Sequence, residues 1–390
     1  MPRVLEVFAV ALRLGLTSFG GPVAHLGYFR DEYVARRKWL DEATYADLVA
    51  LCQFLPGPAS SQVGMAIGLR RAGLPGAIAA WLGFTLPSAI ALVAFAYGLR
   101  AVGPRDAGWL HGLKIVAVAV VAQAVWGMAR SLAPDRPRAT LAALAAIAML
   151  VAPGTGAQIG AIVVAGAIGW WWLPPAGKAA ERHEPVRLGR RAAAVALVLF
   201  FVLLALLPIL AYTTGSPAIA LVDRFYRVGS LVFGGGHVVL PLLRAEVVGS
   251  DGVSDAAFVA GYGAAQAVPG PLFTFAAYLG AMMRTGPSGL AGATLALVAV
   301  FLPSLLLVVG ALPFWDRVRA HAGMRSALAG VNAAVVGLLL AALYEPVWTS
   351  AIDGPADLAL ALAAFVALAV WSVPPWLVVL ATAGAAALLG

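Results

Sequence analysis

Hydrophobic and polar positions fall along this chain in long blocks, without the short periods of a soluble helix or strand. Apolar runs near 17–25 residues, the length that crosses a bilayer as helix, recur with brief polar gaps. The first, Val4 to Leu26, carries Arg13 and is broken at Phe19-Gly20-Gly21-Pro22. A charged connector, Arg30 to Glu42, leads to two half-length runs, Ala43 to Phe54 and Ala59 to Leu69, hinged at Pro56-Gly57-Pro58. Leu74 to Leu99, with Pro87 inside, and Trp109 to Ala129 are full length. Ala139 to Val151 and Ala157 to Trp172 form a short pair turning at Pro153-Gly154-Thr155-Gly156. A polar linker, Pro174 to Arg191, precedes an extra run, Ala192 to Tyr212. The order then repeats: Ile219 to Leu243 broken at Gly234-Gly235-Gly236, half-helices about Pro269-Gly270-Pro271, Gly286 to Leu312, Met324 to Leu343, Asp357 to Trp371 and Pro375 to Leu389.

The recurrence extends to single residues. A shift of 214 positions carries Arg13 onto Arg227, Phe19 onto Phe233, Arg30 onto Arg244, Glu32 onto Glu246 and Asp41 onto Asp255. One residue is then lost, and a shift of 213 carries Gln53 onto Gln266 and one Pro-Gly-Pro onto the other. The pattern predicts an all-α polytopic membrane protein of about thirteen segments. Two repeats of about six segments, residues 1–173 and 217–390, flank a basic linker and extra helix, 174–216. With an even number of crossings per half, the odd linker helix inserts the second copy upside down, an inverted repeat.

Loop charges follow the same logic. Arg130 to Arg138 holds three arginines and reads as cytoplasmic, whereas its counterpart, Tyr344 to Asp357, has no Lys or Arg. Arg317, Arg319 and Arg325 make the preceding second-half loop cytoplasmic. These signs place the N-terminus in the cytoplasm and the C-terminus outside, in the cytoplasmic membrane. The connector Arg30 to Glu42 fits poorly, with four basic residues on the predicted outside.

Composition agrees and narrows the choices. The chain is 62% hydrophobic and 11% charged, where a soluble domain is about a quarter charged; the lipid bilayer is its solvent. The net charge of +8 reads as basic cytoplasmic loops, so no nucleic-acid partner is expected. Cys52 is the only cysteine, which excludes an internal disulfide or a CxxC metal motif. No cofactor and no metal are expected. The first apolar run holds Glu6 and Arg13 and leads into the repeat motif, so it is not read as a cleavable signal. Aromatic-rich apolar surfaces would allow a homodimer without demanding one.

Broken helices persist in a membrane only where protein or a water-filled cavity satisfies the freed backbone. A half-helix starting after Pro56-Gly57-Pro58 turns free N–H groups and a positive dipole end toward membrane depth, an environment that favours an anion. Ser60, Ser61 and Gln62 lie in its first turn, with Thr274 in that of the second copy. Two such ends meeting near the midplane would form an anion site, lined by Gly20, Gly21, Gly57, Gly234, Gly235 and Gly270. The same motifs would also serve as tight re-entrant turns and close helix contacts. Arg13 and Arg227, each six residues before its glycine break, would supply positive charge to an anion path or snorkel to the interface. Gln53 and Gln266 precede the turns and are placed to hydrogen-bond ligand or freed backbone. His25 and His237 are proton-linked candidates or packed histidines. Gln123 and Asn332 read as interhelical hydrogen-bonding residues. No carboxylate lies in the middle of a confident helix, so the chemistry favours an anion over a cation.

At these residues the chain resembles the chromate ion transporter family in its long, two-domain form. The resemblance rests on Phe19-Gly20-Gly21-Pro22 with His25, then Gln53, Pro56-Gly57-Pro58 and Gln62, and on the second copy with Gly234-Gly235-Gly236 and Gln266. It covers essentially the whole chain. It implies antiparallel halves and a secondary transporter exporting chromate, a tetrahedral oxyanion, to give chromate resistance. Here Pro22 becomes Gly236 and Gln62 lacks a clear partner, so unequal halves are expected. Alternating access is the expected mechanism. Uptake or exchange of sulfate or another oxyanion is an alternative, as is a passive anion channel. A membrane-embedded enzyme on lipid phosphate would need paired carboxylates, a metal-ligand cluster or an activated nucleophile. None stands at helix-compatible spacing, and the chain is not expected to be an enzyme.

Overall fold

The computed structural model describes residues 2–19, 21–102, 108–152, 155–174, 189–232, 239–249, 252–315 and 321–389. No β-strand occurs among them. The first half contains α1 (Arg3–Thr17), α2 (Gly21–Arg30), α3 (Glu42–Phe54), α4 (Ala59–Val102), α5 (Gly108–Leu132), α6 (Arg136–Val151) and α7 (Thr155–Trp172). After α8 (Arg190–Thr214), the second half follows as α9 (Pro217–Leu231), α10 (Val239–Val247), α11 (Asp255–Ala267), α12 (Phe275–Met282), α13 (Gly289–Ala311), α14 (Ala322–Ala342), α15 (Pro355–Ala369) and α16 (Pro375–Leu389).

Five of these, α4, α5, α8, α13 and α14, are long and apolar enough to cross a membrane. At 1.5 Å per residue, the 15 residues of α15 or α16 reach only about 22 Å, short of a 30 Å hydrocarbon core. The most apolar window of α8 is 17% buried, as expected of a helix facing lipid. The chain is a multi-pass membrane protein.

Local sequence explains the breaks. α1 stops at Thr17, before the first glycine pair. The connector is a π-helical turn, Asp31–Arg36, held by ion pairs. The half-helix after Pro56-Gly57-Pro58 and the next full run form one long α4, kinked where Ala72 and Gly73 leave helical angles. Its second-half counterpart is divided into a 3-10 turn, Leu272–Thr274, the eight-residue α12 and the separate α13.

The caps correct the repeat register. The Asp41 carboxylate accepts from the Thr44 N–H at 2.7 Å, and Ser254 does the same for the Ala257 N–H at 3.3 Å. Arg30 pairs with Glu42 as Arg244 pairs with Asp255. The structural partner of Asp41 is therefore Ser254, and the lost residue lies between Glu32 and Asp41.

Packing crosses the sequence repeats. α1 lies along α4 and α9 along α13, and α4 packs on α12 and α13. The hairpin α6–α7 packs on α14 of the other half, and α15–α16 packs on α5. Each half's closing hairpin is thus exchanged onto the other half. Small residues permit this approach: a methyl added at Gly112 would fall 2.7 Å from the Thr382 carbonyl oxygen, and one at Gly169 would fall 3.0 Å from the Gly330 backbone. Gln123 Nε2 on α5 donates to the Leu368 carbonyl on α15 at 3.2 Å, the interhelical role expected of it.

Candidate functional site

The two Pro-Gly-Pro turns interlock the halves. The Gly57 N–H donates to the Val232 carbonyl at 2.6 Å, just past α9, and the Gly270 N–H donates to the Ser18 carbonyl at 2.9 Å, just past α1. Each turn thereby satisfies a carbonyl freed where the opposite half's first helix stops. Both glycines have positive φ, +122° and +102°, which a side chain would resist.

Each turn also rests beside a helix-interior proline of the other half. A methyl at Gly57 would collide with Ser304 Oγ and lie 2.7 Å from Gln62 Nε2. One at Gly270 would lie 2.9 Å from Ser88 Oγ and 3.2 Å from the Phe84 carbonyl. Ser88 and Ser304 follow Pro87 and Pro303, the prolines inside α4 and α13.

Polar groups gather here with few partners. His25, 1% exposed, places Nδ1 3.3 Å from Ser60 Oγ and meets the Phe84 ring edge-on. Gln62 Nε2 donates to the Pro56 carbonyl at 2.7 Å, closing its own turn. The Thr274 hydroxyl donates to the Pro271 carbonyl at 2.7 Å. Ser18 Oγ, Ser61 Oγ, Gln62 Oε1, Thr85 Oγ1, Gln266 Nε2 and Ser304 Oγ are buried with no hydrogen-bond partner. An unmet buried polar group costs about 1–3 kcal/mol, and this concentration is what makes the junction the candidate site. Gly21, His25, Gln266 and Gly270 line a cavity of about 20 Å³, capped by Pro375 of α16. It has room for about one water and is too small for a tetrahedral oxyanion.

The expected site residues do not all converge. Gln266 reaches the cavity, whereas its counterpart Gln53 is exposed on α3. Arg13, its side chain 57% exposed, pairs with Glu32 at 3.7 Å. Arg227 pairs with Asp223 and, at 3.4 Å, with Glu246. Glu32 and Glu246 occupy equivalent positions, so both arginines face a carboxylate of their own half, although Glu32 is shared with Arg36 and Arg37. No described contact joins either to the turns. The connector's basic residues are engaged likewise: Arg36 and Arg37 bind Glu32, and Arg30 binds Glu42. The Glu42 carboxylate raises the Arg30 pKa through its hydrogen bond and its charge. Gly20, Gly234, Gly235 and His237 lie outside the described residues.

Sequence reasoning overlooked Ser18, Thr85, Ser88 and Ser304. The signal was present: Leu86-Pro87-Ser88 recurs as Leu302-Pro303-Ser304, inside corresponding helices.

Comparison with known proteins now bears on this arrangement. The sequence profile described as "Chromate transporter" matches residues 5–170 and again 219–388. The chain belongs to the chromate transporter family. It is 28% identical to the chromate transport protein of Pseudomonas aeruginosa over 351 residues, covering 86% of this chain and 79% of that one. It is 26% identical over 357 residues to the chromate transport protein of Cupriavidus metallidurans, covering 89% and 83%. An uncharacterised transporter of Methanocaldococcus jannaschii is 26% identical over 347 residues, covering 87% and 83%. No solved structure matches significantly.

Proposed function

We propose that this protein exports chromate across the cytoplasmic membrane by alternating access and thereby confers chromate resistance. The observation that carries the reading is the reciprocal seating of the two Pro-Gly-Pro turns among buried, unpartnered polar groups. Reciprocity of this kind is what two copies related by a two-fold axis produce. The odd α8 and the exchanged loop charges favour an axis in the membrane plane, an inverted repeat of about thirteen segments with the N-terminus cytoplasmic and the C-terminus external. The sequence repeats 1–173 and 217–390 are the symmetry-related units, and 174–216 joins them.

The binding chemistry fits a tetrahedral dianion. Uncharged donors from Ser60, Ser61 and Gln266, with His25 beside them and the N-terminus of α4, solvate charge at membrane depth without a resident counter-ion. The ion-paired Arg13 and Arg227 set the surrounding field and tie α1 and α9 to the segments after the glycine breaks. Expelling a dianion from a cell negative inside is favourable by about 2.3 kcal/mol per charge per 100 mV, so export needs no coupled ion.

Asymmetry between the halves supports alternating access. Phe258 through Ala265 on α11 are all buried, and α11 packs on α5 and α16. The corresponding stretch of α3 leaves Ala46 and Ala50 exposed, with no comparable packing on α14 or α7 among the described residues. One gate is shut and its symmetry mate is open; exchanging the two conformations would turn the site to the other face. Saturable chromate uptake into proteoliposomes, inhibited by sulfate, tests the carrier reading, and ohmic single-channel currents would overturn it in favour of a channel.

A further inference from the structure

We propose that Ser304, with Ser88 as its counterpart, is an oxyanion-binding residue, its hydroxyl donating directly to an oxygen of the transported tetrahedral anion. The proposal rests on the oxyanion-carrier reading and names a contact that reading does not assign.

Three observations converge on Ser304. Its side chain is wholly buried, and its Oγ has no hydrogen-bond partner. A serine inside a helix ordinarily returns its hydroxyl to the carbonyl three or four residues back. Ser230 and Thr294 do so, bonding to the Tyr226 and Leu290 carbonyls at 2.8 and 2.9 Å. Ser304 does not, although Pro303 beside it removes a backbone donor and leaves the helix ladder open at that level. The hydroxyl instead lies against Gly57, at the apex of the first Pro-Gly-Pro turn, on the same side as Gln62 Nε2. It therefore adjoins the first turn of α4, where Ser61 Oγ and Gln62 Oε1 are also unpartnered.

The other Pro-Gly-Pro turn repeats this placement in a different state. Ser88, 1% exposed, lies against Gly270 and turns its hydroxyl to the Thr85 carbonyl at 3.1 Å, while Thr85 Oγ1 is unpartnered. One hydroxyl of the pair is thus available and the other is held. The gates show the same division: one shut, one open. A hydroxyl that alternates between a backbone carbonyl and a ligand suits a site whose halves exchange roles during transport.

The chemistry selects the ligand class. A hydroxyl donor beside the N-terminus of α4, with no carboxylate described among its contacts, recognises an anion. Tetrahedral oxygens accept from several directions, matching donors contributed by both halves. Gln62 Oε1 is an unpartnered acceptor at the same place, but no carboxylate is described there to balance a bound cation.

The test compares the full-length wild type with Ser304→Ala, Ser304→Cys and Ser88→Ala in proteoliposomes. It measures chromate flux against concentration, the inhibition constant of sulfate, and thermal unfolding. Loss of a hydroxyl–anion hydrogen bond predicts a KM about tenfold higher for Ser304→Ala, with a parallel loss of sulfate inhibition. Unfolding temperature stays unchanged or rises, because an unmet buried group has been removed. Ser304→Cys keeps volume and a weak donor and falls between, and Ser88→Ala shows a smaller rise. Unchanged KM in Ser304→Ala overturns the proposal, as does a lowered unfolding temperature with KM unaltered. Wild-type protein that moves neither chromate nor sulfate overturns the carrier reading itself.

Discussion

Gly57→Ala probes the interlock directly. At φ +122° a residue with a side chain sits in a sparsely allowed region, costing about 1–3 kcal/mol. Its methyl would also strike Ser304 Oγ and approach Gln62 Nε2 to 2.7 Å; overpacking of this kind costs about 1–3 kcal/mol. Gln62 can swing aside, but Ser304 is held on α13 with its short side chain wholly buried. The combined effect, about 2–6 kcal/mol, is expected to loosen the turn and break the Gly57–Val232 hydrogen bond. Gly270→Ala meets similar strain and a looser fit, with Ser88 Oγ at 2.9 Å, and should be milder. The lone, fully buried Cys52 provides the assay: a thiol-reactive fluorophore labels it only on unfolding, so labelling against temperature reports stability in detergent. Gly57→Ala should unfold well below wild type, and Gly57→Ala/Ser304→Ala should recover part of the loss by removing the collision but not the strain. Wild-type unfolding of Gly57→Ala, or no recovery in the double variant, would refute the reciprocal seating of the turns.

Further outcomes follow from other parts of the structure. Gly263 on α11 lies directly against the Leu113 carbonyl; their counterparts Ala50 and Met324 are both exposed. Ala50→Cys/Met324→Cys, in a Cys52→Ser background, should form an oxidative cross-link only as α3 closes on α14, since a disulfide needs Cα atoms within about 7 Å. A cross-link that stops chromate flux reversibly supports gate exchange, and a pair that never joins under any gradient contradicts it. Glu32→Gln should destabilise the connector by about 1–3 kcal/mol, because Arg36 and Arg37 lose hydrogen-bonded charge partners at 3.0 and 2.7 Å. High salt should narrow the gap between Glu32→Gln and wild type in the Cys52 labelling assay.

Much of this fold was legible in the sequence because glycine and proline act locally. Phe19-Gly20-Gly21-Pro22 and the Pro-Gly-Pro turns end helices wherever they stand, so the breaks fell where expected. The exchange of hairpins was not legible. An apolar face such as that of α7 fits α14 or α5 equally well by composition, and only backbone approach at Gly169 and Gly330 selects the partner. The register slip had a chemical cause: Asp41 and Asp255 share an identity, but an aspartate and a serine cap a helix alike, and capping aligns Asp41 with Ser254. Arg13 and Arg227 stood out as charges near glycine breaks, while the carboxylates that pair with them lie 19 positions on in each half. Ser304 passed unnoticed because a lone serine in an apolar run is ordinary, although Leu302-Pro303-Ser304 repeats Leu86-Pro87-Ser88; in the structure the absence of its expected back-bond singles it out.

The central claim is that this chain carries a tetrahedral oxyanion through the junction of its Pro-Gly-Pro turns. The most direct measurement is radiolabelled chromate flux in proteoliposomes, with sulfate as competitor, comparing wild type with Gln266→Leu, whose Nε2 is a buried, unpartnered donor at the cavity. Saturable flux that sulfate inhibits, and that Gln266→Leu loses while Cys52 stays protected, is the expected result. Equal flux in both proteins would remove the site from this junction, and no flux of either anion under any imposed potential or pH gradient would contradict the account.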